Sequence, residues 1–524
     1  MLTGAPPADR APLTPSPRRR VWPWAAGSLL IMLAVIAATL VGHRLAAQAR
    51  LASQVSPAPA LPPLSVEAVA HALGPINQLT LDQQAQTLVA QVQTQPCPHV
   101  GLAPIPGCVS SENMRAGIVF YNSVTGAVRS QAIKPTAEAG DVVALTNTAH
   151  SVTYLLDNSG VTFYDDATGK QLGGYTSQFV ARAQAAALDD QLGVIYALDD
   201  QSTLNAFDAT SGQLVATVTT PSRGLPQLLV DANASRLYLV VSNGGDAPTL
   251  LYAYNASDLS PLGSWSLPNG LLMAGFDSAT HSLYLSGGNA PTISRLDLTT
   301  LPASQPIGPV AQSVPAHPAS VLALNGASRF GFDHASGAAL VMTSAGVEAY
   351  ATGAARPYAA LPLVRGPVAY GAENLPWLLP VDSSAGLAYL PGDDNTILIV
   401  NMAQPSSHAA PNALTAEVMA RAGLASLLPD TNQNPPFLSA QTFPLGAGSV
   451  GREYYIHYSD LGWKGPYAGT ASLSDVKAGT TAGEYTMTFS VTWNQLFPRT
   501  HSWTVQITPD GRTHLLADSG DGLP

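Results

Sequence analysis

The chain has 524 residues, 23 Lys and Arg against 34 Asp and Glu, a formal charge of −11 and only 11% charged side chains. That length allows more than one domain, and the acidic, charge-poor balance excludes nucleic acid as a partner, since no basic patch exists to neutralise phosphates. Gly (45) and Pro (43) are plentiful but spread through a repeat array, so they read as turn formers and not as disorder.

Residues 1–20 read as a cytoplasmic tail, Pro-rich and without periodicity at its start. Residues 21–42 read as a transmembrane helix: Trp22 and Trp24 suit an interfacial anchor, and Ala25 to Val41 is an uncharged run long enough to span a bilayer. Arg18, Arg19 and Arg20 precede the run, and Arg44 and Arg50 follow it, a bias that points the N-terminus to the cytoplasm. The alternative is a cleaved signal peptide, for which Ala47-Gln48-Ala49 matches a small-residue cleavage site. A retained anchor is preferred because the run is long for a signal and His43 and Arg44 separate it from that site. Both readings place the bulk of the chain outside the cytoplasm, and the expected location is a single-pass position in the cell membrane. Residues 43–64, with Pro57, Pro59, Pro62 and Pro63, read as a stiff linker.

Residues 65–115 read as a helical pair and a loop. Ser65 caps a first helix with Val66, Val69, Ala70 and Leu73 on one face, ended by Gly74-Pro75. Thr80 with Gln83 forms a capping box for a second, striped by Leu81, Ala85, Leu88, Val89 and Val92. Its polar face is Gln-rich and not basic, which favours packing within the protein over a lipid surface. Cys97 and Cys108 flank a Pro/Gly loop and are expected to form one disulfide in an exported chain. A metal site with His99 is the rival, but it lacks a fourth ligand at a recognisable spacing.

Residues 116–410 repeat one pattern. One half is an extended apolar run ending in Asx before a turn: Asn122, Asp165, Asp208, Asn255 and Asp297, with weaker copies at Tyr350-Ala351 and at Asn401. The Asx side chain accepts from backbone two residues on, and the Gly of Thr125-Gly126, Thr168-Gly169 and Ser211-Gly212 supplies the positive φ that closes the turn. The other half is an Asp followed seven residues later by an aromatic: Asp189 and Tyr196, Asp231 and Tyr238, Asp277 and Tyr284, Asp382 and Tyr389, with Asn147 and Asp333 heading degraded copies. The halves alternate, and a full unit of about 42 to 56 residues is the length of a four-stranded propeller blade. Recurrence at turn positions assigns these carboxylates to turn capping and not to a metal or proton-transfer ring. Seven blades are expected, with strands from the two ends of the array completing one of them; six blades and an extra hairpin is the alternative.

In Arg236-Leu237-Tyr238-Leu239-Val240-Val241-Ser242-Asn243 and Asn205-Ala206-Phe207-Asp208-Ala209-Thr210-Ser211-Gly212 the chain resembles the YVTN-type repeat family, within the quinoprotein-like and WD-repeat-like propellers. The likeness covers about residues 116–405. It implies a β-propeller, a fold that serves many unrelated roles. Phe163 to Lys170 is similar to a quinoprotein alcohol dehydrogenase repeat, but Gln171-Leu172-Gly173-Gly174 stands where that family places a Trp to dock adjacent blades. No cofactor is expected.

Residues 411–437 read as a helix, Ala413 to Leu428 stopped by Pro429, and a linker. Residues 438–524 read as a small antiparallel β domain: Tyr485, Met487, Phe489, Val491 and Trp493 alternate with Thr and Ser, and Pro509-Asp510-Gly511 is a turn.

The chain contains no Gly-x-Ser-x-Gly elbow, no His-Glu-x-x-His, no phosphate-cradling loop and no calcium-loop spacing. His457 and His501 lie beside aromatic strands, and Trp463 with Tyr467 reads as packing in preference to a ligand platform. The fold expectation is therefore all-β: a propeller with a transmembrane helix, a helical pair and a small β domain around it. The functional expectation is a membrane-anchored, extracytoplasmic module that binds or scaffolds a protein, peptide or cell-surface polymer, with no catalytic or metal residues. The alternative is a propeller enzyme of lactonase-like or oxidoreductase type with its site at the central channel.

Overall fold

The structure is a computed structural model that describes residues 61–520 apart from 94–114, 136–141, 243–247, 302–313, 324–328, 364–377, 406–410, 428–436, 439–452 and shorter stretches. Among the described residues no helix is long and apolar enough to cross a membrane. The expected span 21–42 and the expected disulfide of Cys97 and Cys108 lie outside the described residues.

Strand β1 (Ser65–His71) is the first described strand, and seven antiparallel sheets form the blades. Blade 1 is β2 (Ile76–Asp82), β3 (Thr87–Gln93), β4 (Arg115–Asn122) and β5 (Val128–Pro135). Blade 2 is β6 (Val143–Asn147), β7 (Val152–Asp157), β8 (Gly160–Asp165) and β9 (Gln171–Thr176). Blade 3 is β10 (Ala183–Asp189), β11 (Val194–Asp199), β12 (Thr203–Asp208) and β13 (Leu214–Thr219). Blade 4 is β14 (Leu225–Asp231), β15 (Arg236–Ser242), β16 (Pro248–Asn255) and β17 (Pro261–Asn269). Blade 5 is β18 (Leu271–Asp277), β19 (Ser282–Gly287), β20 (Thr292–Asp297) and, after β21 (Val314–Pro315), β22 (Ala319–Ala323). β21 leaves blade 5 and adds a parallel fifth strand to blade 4, with Trp265 opposite Val314. Blade 6 is β23 (Arg329–Asp333), β24 (Ala338–Thr343), β25 (Gly346–Tyr350) and β26 (Ala359–Pro362).

Blade 7 takes β27 (Val381–Asp382), β28 (Leu387–Pro391) and β29 (Thr396–Asn401) from the end of the array and β1 from its beginning. Ser65 pairs with Asn401 and His71 with Thr396, so the ring closes by joining its two ends, as expected. The first strands of successive blades adjoin one another, β2 with β6, β10 with β14 and β23 with β27 among them, so they form the inner wall and the fourth strands form the rim.

The helical pair expected over 65–92 is instead β1, β2 and β3, and blade 1 starts at Ile76 and not at Ala116. The cause lies in burial. β3 is buried from Thr87 to Val92, so both of its faces are covered and the alternation that marks a half-wet strand is missing. Second strands are buried alike in the other blades: Leu237 to Ser242 of β15 lie in the core, and Tyr238 and Val240 pack on Leu283 and Leu285 of the next blade. No blade could bury both faces alone, which is what drives radial stacking.

Helix α1 (Ala413–Leu427) lies over the closing blade. Asn412 caps it, its Oδ1 accepting from Thr415 N at 2.8 Å. Val66 N donates to Thr415 Oγ1 at 2.8 Å, Asn412 Nδ2 donates to Val66 O at 2.9 Å, and Val418 and Met419 enter the core beside Val66 and Leu361. A separate antiparallel sheet follows: β30 (Phe437–Leu438), β31 (Glu453–Ser459), β32 (Pro466–Ala478), β33 (Tyr485–Trp493), β34 (Arg499–Ile507) and β35 (Thr513–Gly520), in sequence order.

Candidate functional site

The recurrent Asx residues gather on one face of the ring, where the turn between first and second strands of each blade meets the turn between third and fourth. At the end of the third strand, where five blades turn into the fourth, Asn122 Oδ1 accepts from Thr125 N at 2.8 Å, Asp165 from Thr168 N at 2.8 Å, Asp208 from Ser211 N at 2.7 Å, Asn255 from Ser257 N at 2.9 Å and Asp297 from Thr299 N at 2.9 Å; in blade 7, whose fourth strand is β1, Asn401 accepts from Ala403 N at 2.8 Å. At the first-to-second turn, Asp189 accepts from Leu192 N, Asp231 from Ala234 N, Asp333 from Ala335 N and Asp382 from Ser384 N, and Thr280 Oγ1 donates to Asp277.

Four residues after that Asp or Asn, every blade turns left-handed: Gln86, Ser151, Gly193, Ser235, His281, Gly337 and Gly386 all have φ between 48° and 70°. The carbonyl exposed by this twist accepts from the residue after the Asx of the other turn. Ser123 N donates to Gln86 O, Asp166 N to Ser151 O, Ala209 N to Gly193 O, Ala256 N to Ser235 O, Leu298 N to His281 O and Met402 N to Gly386 O, at 2.8 to 3.1 Å. The two turns of a blade are thus stapled together.

The same face ties each blade to the next. Gln83 of blade 1 donates to Asp382 of blade 7 at 3.4 Å. Asn147 donates to Asp190 O in blade 3 at 3.4 Å, and Gln191 to Asn233 in blade 4 at 3.0 Å. His281 Nδ1 lies 2.7 Å from Asp231, His334 Nε2 lies 3.2 Å from Asp277, and Asp333 reaches Ser383. The second-strand tyrosines add a second set of ties: Tyr196 donates to Ala256 O at 2.7 Å, Tyr154 lies beside Thr210, and Tyr389 beside Ser123.

One position breaks the repeat. In the six blades whose third strand ends in Asx the next residue is buried; it is Ser123, Ala209, Ala256, Leu298 or Met402 in five of them, but in blade 2 it is Asp166. Asp166 meets Asp82, the terminal Asp of β2, and both carboxylates are wholly buried. Asp82 Oδ1 accepts from Ala85 N at 3.0 Å, and Thr87 Oγ1 donates to Asp166 O at 3.0 Å, but Asp82 Oδ2 and both Asp166 oxygens lack a well-formed hydrogen bond. Burial pushes the Asp166 carboxyl up to about 8; the Thr153 hydroxyl opposes the rise and the Asp82 carboxyl adds to it. Two like charges in contact in a wholly buried junction cannot both persist, so the pair holds a proton at neutral pH. It has no surface to offer a ligand, and its chemistry acts on the junction of blades 1 and 2.

Among the described residues no group of three or more His, Cys, Asp or Glu is arranged to hold a metal. The expected site residues on the propeller are therefore brought onto one face, each engaged by its own turn or by the neighbouring blade. Sequence reasoning missed Asp82, whose turn ends in Gln86 in place of Gly and whose partner position seven residues on is Val89 in place of an aromatic.

No family model matches the chain, and no curated protein does. Among solved structures, the chain is similar to the β-propeller domain of Cps50 (Swd1) from Myceliophteria thermophila, at 11% identity and a TM-score of 0.46, over 65% of this chain and 99% of that one.

Proposed function

We propose that the chain is a binding or scaffold module, held at the outer surface of a membrane by residues 21–42, whose partner is a protein, peptide or cell-surface polymer. The polar groups of the turn face serve to hold blade to blade, which makes the ring a stiff platform. The carrying observation is on the rim. Val128, Leu172, Leu214, Val215 and Leu262, at the start of the outer strands of blades 1 to 4, are 43% to 55% exposed. On blades 6 and 7 the rim is covered by the chain itself, α1 lying on β26 and β1, and in blade 4 the β17 residues Trp265 and Ser266 are covered by β21. Large apolar side chains left in water along one sector mark a contact surface.

The tether reading rests on the uncharged run Ala25 to Val41 and the arginines before it. Affinity capture with the chain from Leu51 onward as bait tests the binding reading. The captured partner is expected to be lost when Leu172, Leu214 and Val215 are together changed to Asp, with the melting transition retained; equal capture by that variant overturns it. For the tether, the full chain should partition into membranes while the chain from Leu51 stays soluble. A full chain that also stays soluble overturns that part.

A further inference from the structure

The fourth strands of the blades are sheet edges, and four of them carry a device that keeps another chain from pairing there. β5 holds Arg129, Lys134 and Pro135, β17 is covered in part by β21, and α1 lies over β26 and β1. β13 of blade 3 has none of these. Its sequence, Leu214-Val215-Ala216-Thr217-Val218-Thr219, is free of charge and of Pro and rich in β-branched residues. It ends its sheet, and Leu214, Val215, Thr217 and Thr219 are exposed. The chain around it is described without a break from residue 183 to 221. β9 of blade 2 is also uncharged, but Gly173-Gly174 at its centre makes it a weaker template.

The backbone of β13 has a fixed phase. Thr220 N donates to Ser202 O at 2.8 Å across the pair with β12, so Val218 and Ala216, two and four residues earlier, face β12 as well. Thr217 and Thr219 therefore turn N–H and C=O away from β12, to the outer edge. The bulge at Val215 lies near the start of the strand and leaves Ala216 to Thr219 regular. Ala216 and Val218 pack on the core shared by blades 3 and 4, which holds the strand in place. One blade further on, β21 shows what such an edge accepts: Val314 and Pro315 lie beside Trp265 and Ser266 as a short, extended, uncharged strand.

The charge of blade 3 is one-sided. Residues 183–221 hold five Asp and no Glu, Lys or Arg. Asp208 N donates to Gln213 O, which sets this Asp at the Leu214 end of β13, and Asp199 and Asp200 stand in the turn that meets the Thr219 end. A strand of six residues puts the two acidic ends roughly 20 Å apart.

We propose that β13 takes up an extended peptide segment of the partner as a further strand, an apolar, β-branched run of about six residues with Lys or Arg at both ends. This rests on the reading of the rim as a binding surface and names the form of the partner. Pairing with the backbone of Thr217 and Thr219 holds the peptide, and the acidic ends select a basic-flanked one.

The test uses the full-length chain in detergent and a labelled synthetic peptide of alternating Val and Thr with Lys pairs at both ends, followed by fluorescence anisotropy. The wild type should bind it, with hydrogen exchange slowed at the Thr217 and Thr219 amides. Thr217→Pro removes one outward N–H at an edge position, where Pro is tolerated, and should weaken binding about tenfold with the melting transition retained. Should that variant fail to fold, the peptide N-methylated at alternate residues makes the same test on the wild type and should bind about tenfold more weakly. Glu pairs in place of Lys should also weaken binding, by a factor that shrinks as salt is raised. No binding of the Lys-flanked peptide, equal binding after N-methylation, or equal binding of the Lys and Glu forms overturns the proposal. So does a wild-type dimer in sedimentation that Thr217→Pro converts to monomer, since that assigns the edge to a second copy. Partner capture lost by the change of Leu172, Leu214 and Val215 to Asp but kept by Thr217→Pro overturns strand addition and leaves the rim reading standing; capture kept by both variants overturns both.

Discussion

Asp166 meets Asp82 across the junction of blades 1 and 2, and neither side chain has any exposed surface. The charged groups around the pair are Asp165, next in the chain, and Arg129, whose guanidinium donates to Ala85 O at 2.9 Å and Thr87 Oγ1 at 2.7 Å. The guanidinium thus braces the turn that carries Asp82.

Stability should depend on pH through this pair. In the unfolded chain Asp166 loses its proton near the ordinary value of 3.8, and in the folded chain near 8. Between those values the folded state holds a proton that the unfolded state has released, so stability is full below the lower value and falls as pH rises towards the upper one. Asp166→Asn should flatten that slope and raise stability at pH 8, by on the order of 2–5 kcal/mol. Denaturant unfolding of both forms at several pH values measures it. Parallel pH profiles would refute it.

The left-handed residue of each first-to-second turn is Gly in three blades, at Gly193, Gly337 and Gly386, and Gln, Ser, Ser or His in the rest. A side chain in that conformation costs about 1–2 kcal/mol, of which the greater chain entropy of Gly cancels roughly half. Ser151→Gly and Ser235→Gly should each stabilise by about 0.5 kcal/mol, additively, since they lie in different blades. Paired melting curves decide it, and a loss of stability in both would contradict the account.

Tyr196 is buried and its hydroxyl donates to Ala256 O at 2.7 Å in the following blade. Tyr196→Phe should leave that carbonyl without its donor and destabilise by about 1–2 kcal/mol. Tyr252, also buried, gives the control: its change to Phe should cost less if the inter-blade bond is what matters.

Thr415 of α1 accepts from Val66 N, a group on the outer strand of the closing blade. Thr415→Val keeps the volume and removes the acceptor. The expected loss is about 1–3 kcal/mol, with Val66 among the first amides of blade 7 to exchange hydrogen. Unchanged protection at Val66 would show that the helix does not latch the blade.

The propeller was legible in the sequence because its turns are chemically loud. Asx, Thr or Ser, and Gly at fixed offsets name a hairpin whatever the strands contain. The same rule explains the failure at blade 1. There the turn is Asp82-Gln83-Gln84-Ala85-Gln86, without Gly, and the strands around it carry Ala, Gln and Val at spacings that also fit a helix. Gln91 falls within the Gln-rich expected helix; in the structure it is buried, donates to Val142 O at 2.5 Å and accepts from Ala144 N at 3.0 Å. A polar residue satisfied by a neighbouring blade cannot be told from a solvated one by composition. Asp166 was hidden for a similar reason, because Asp165 beside it carries the turn signal and the second Asp reads as more of the same.

The clasp also sets a schedule. Val66 needs a partner that lies 349 residues further along the chain. At ribosomal speeds of roughly 5–20 residues per second, that is a delay on the order of 20 to 70 s. For that interval β1 is made but unmatched, and six blades can stack while the seventh stands open. An unpaired strand of that age is exposed to the wrong neighbour, so the yield of closed rings should depend on what shields Ser65 to His71 during synthesis.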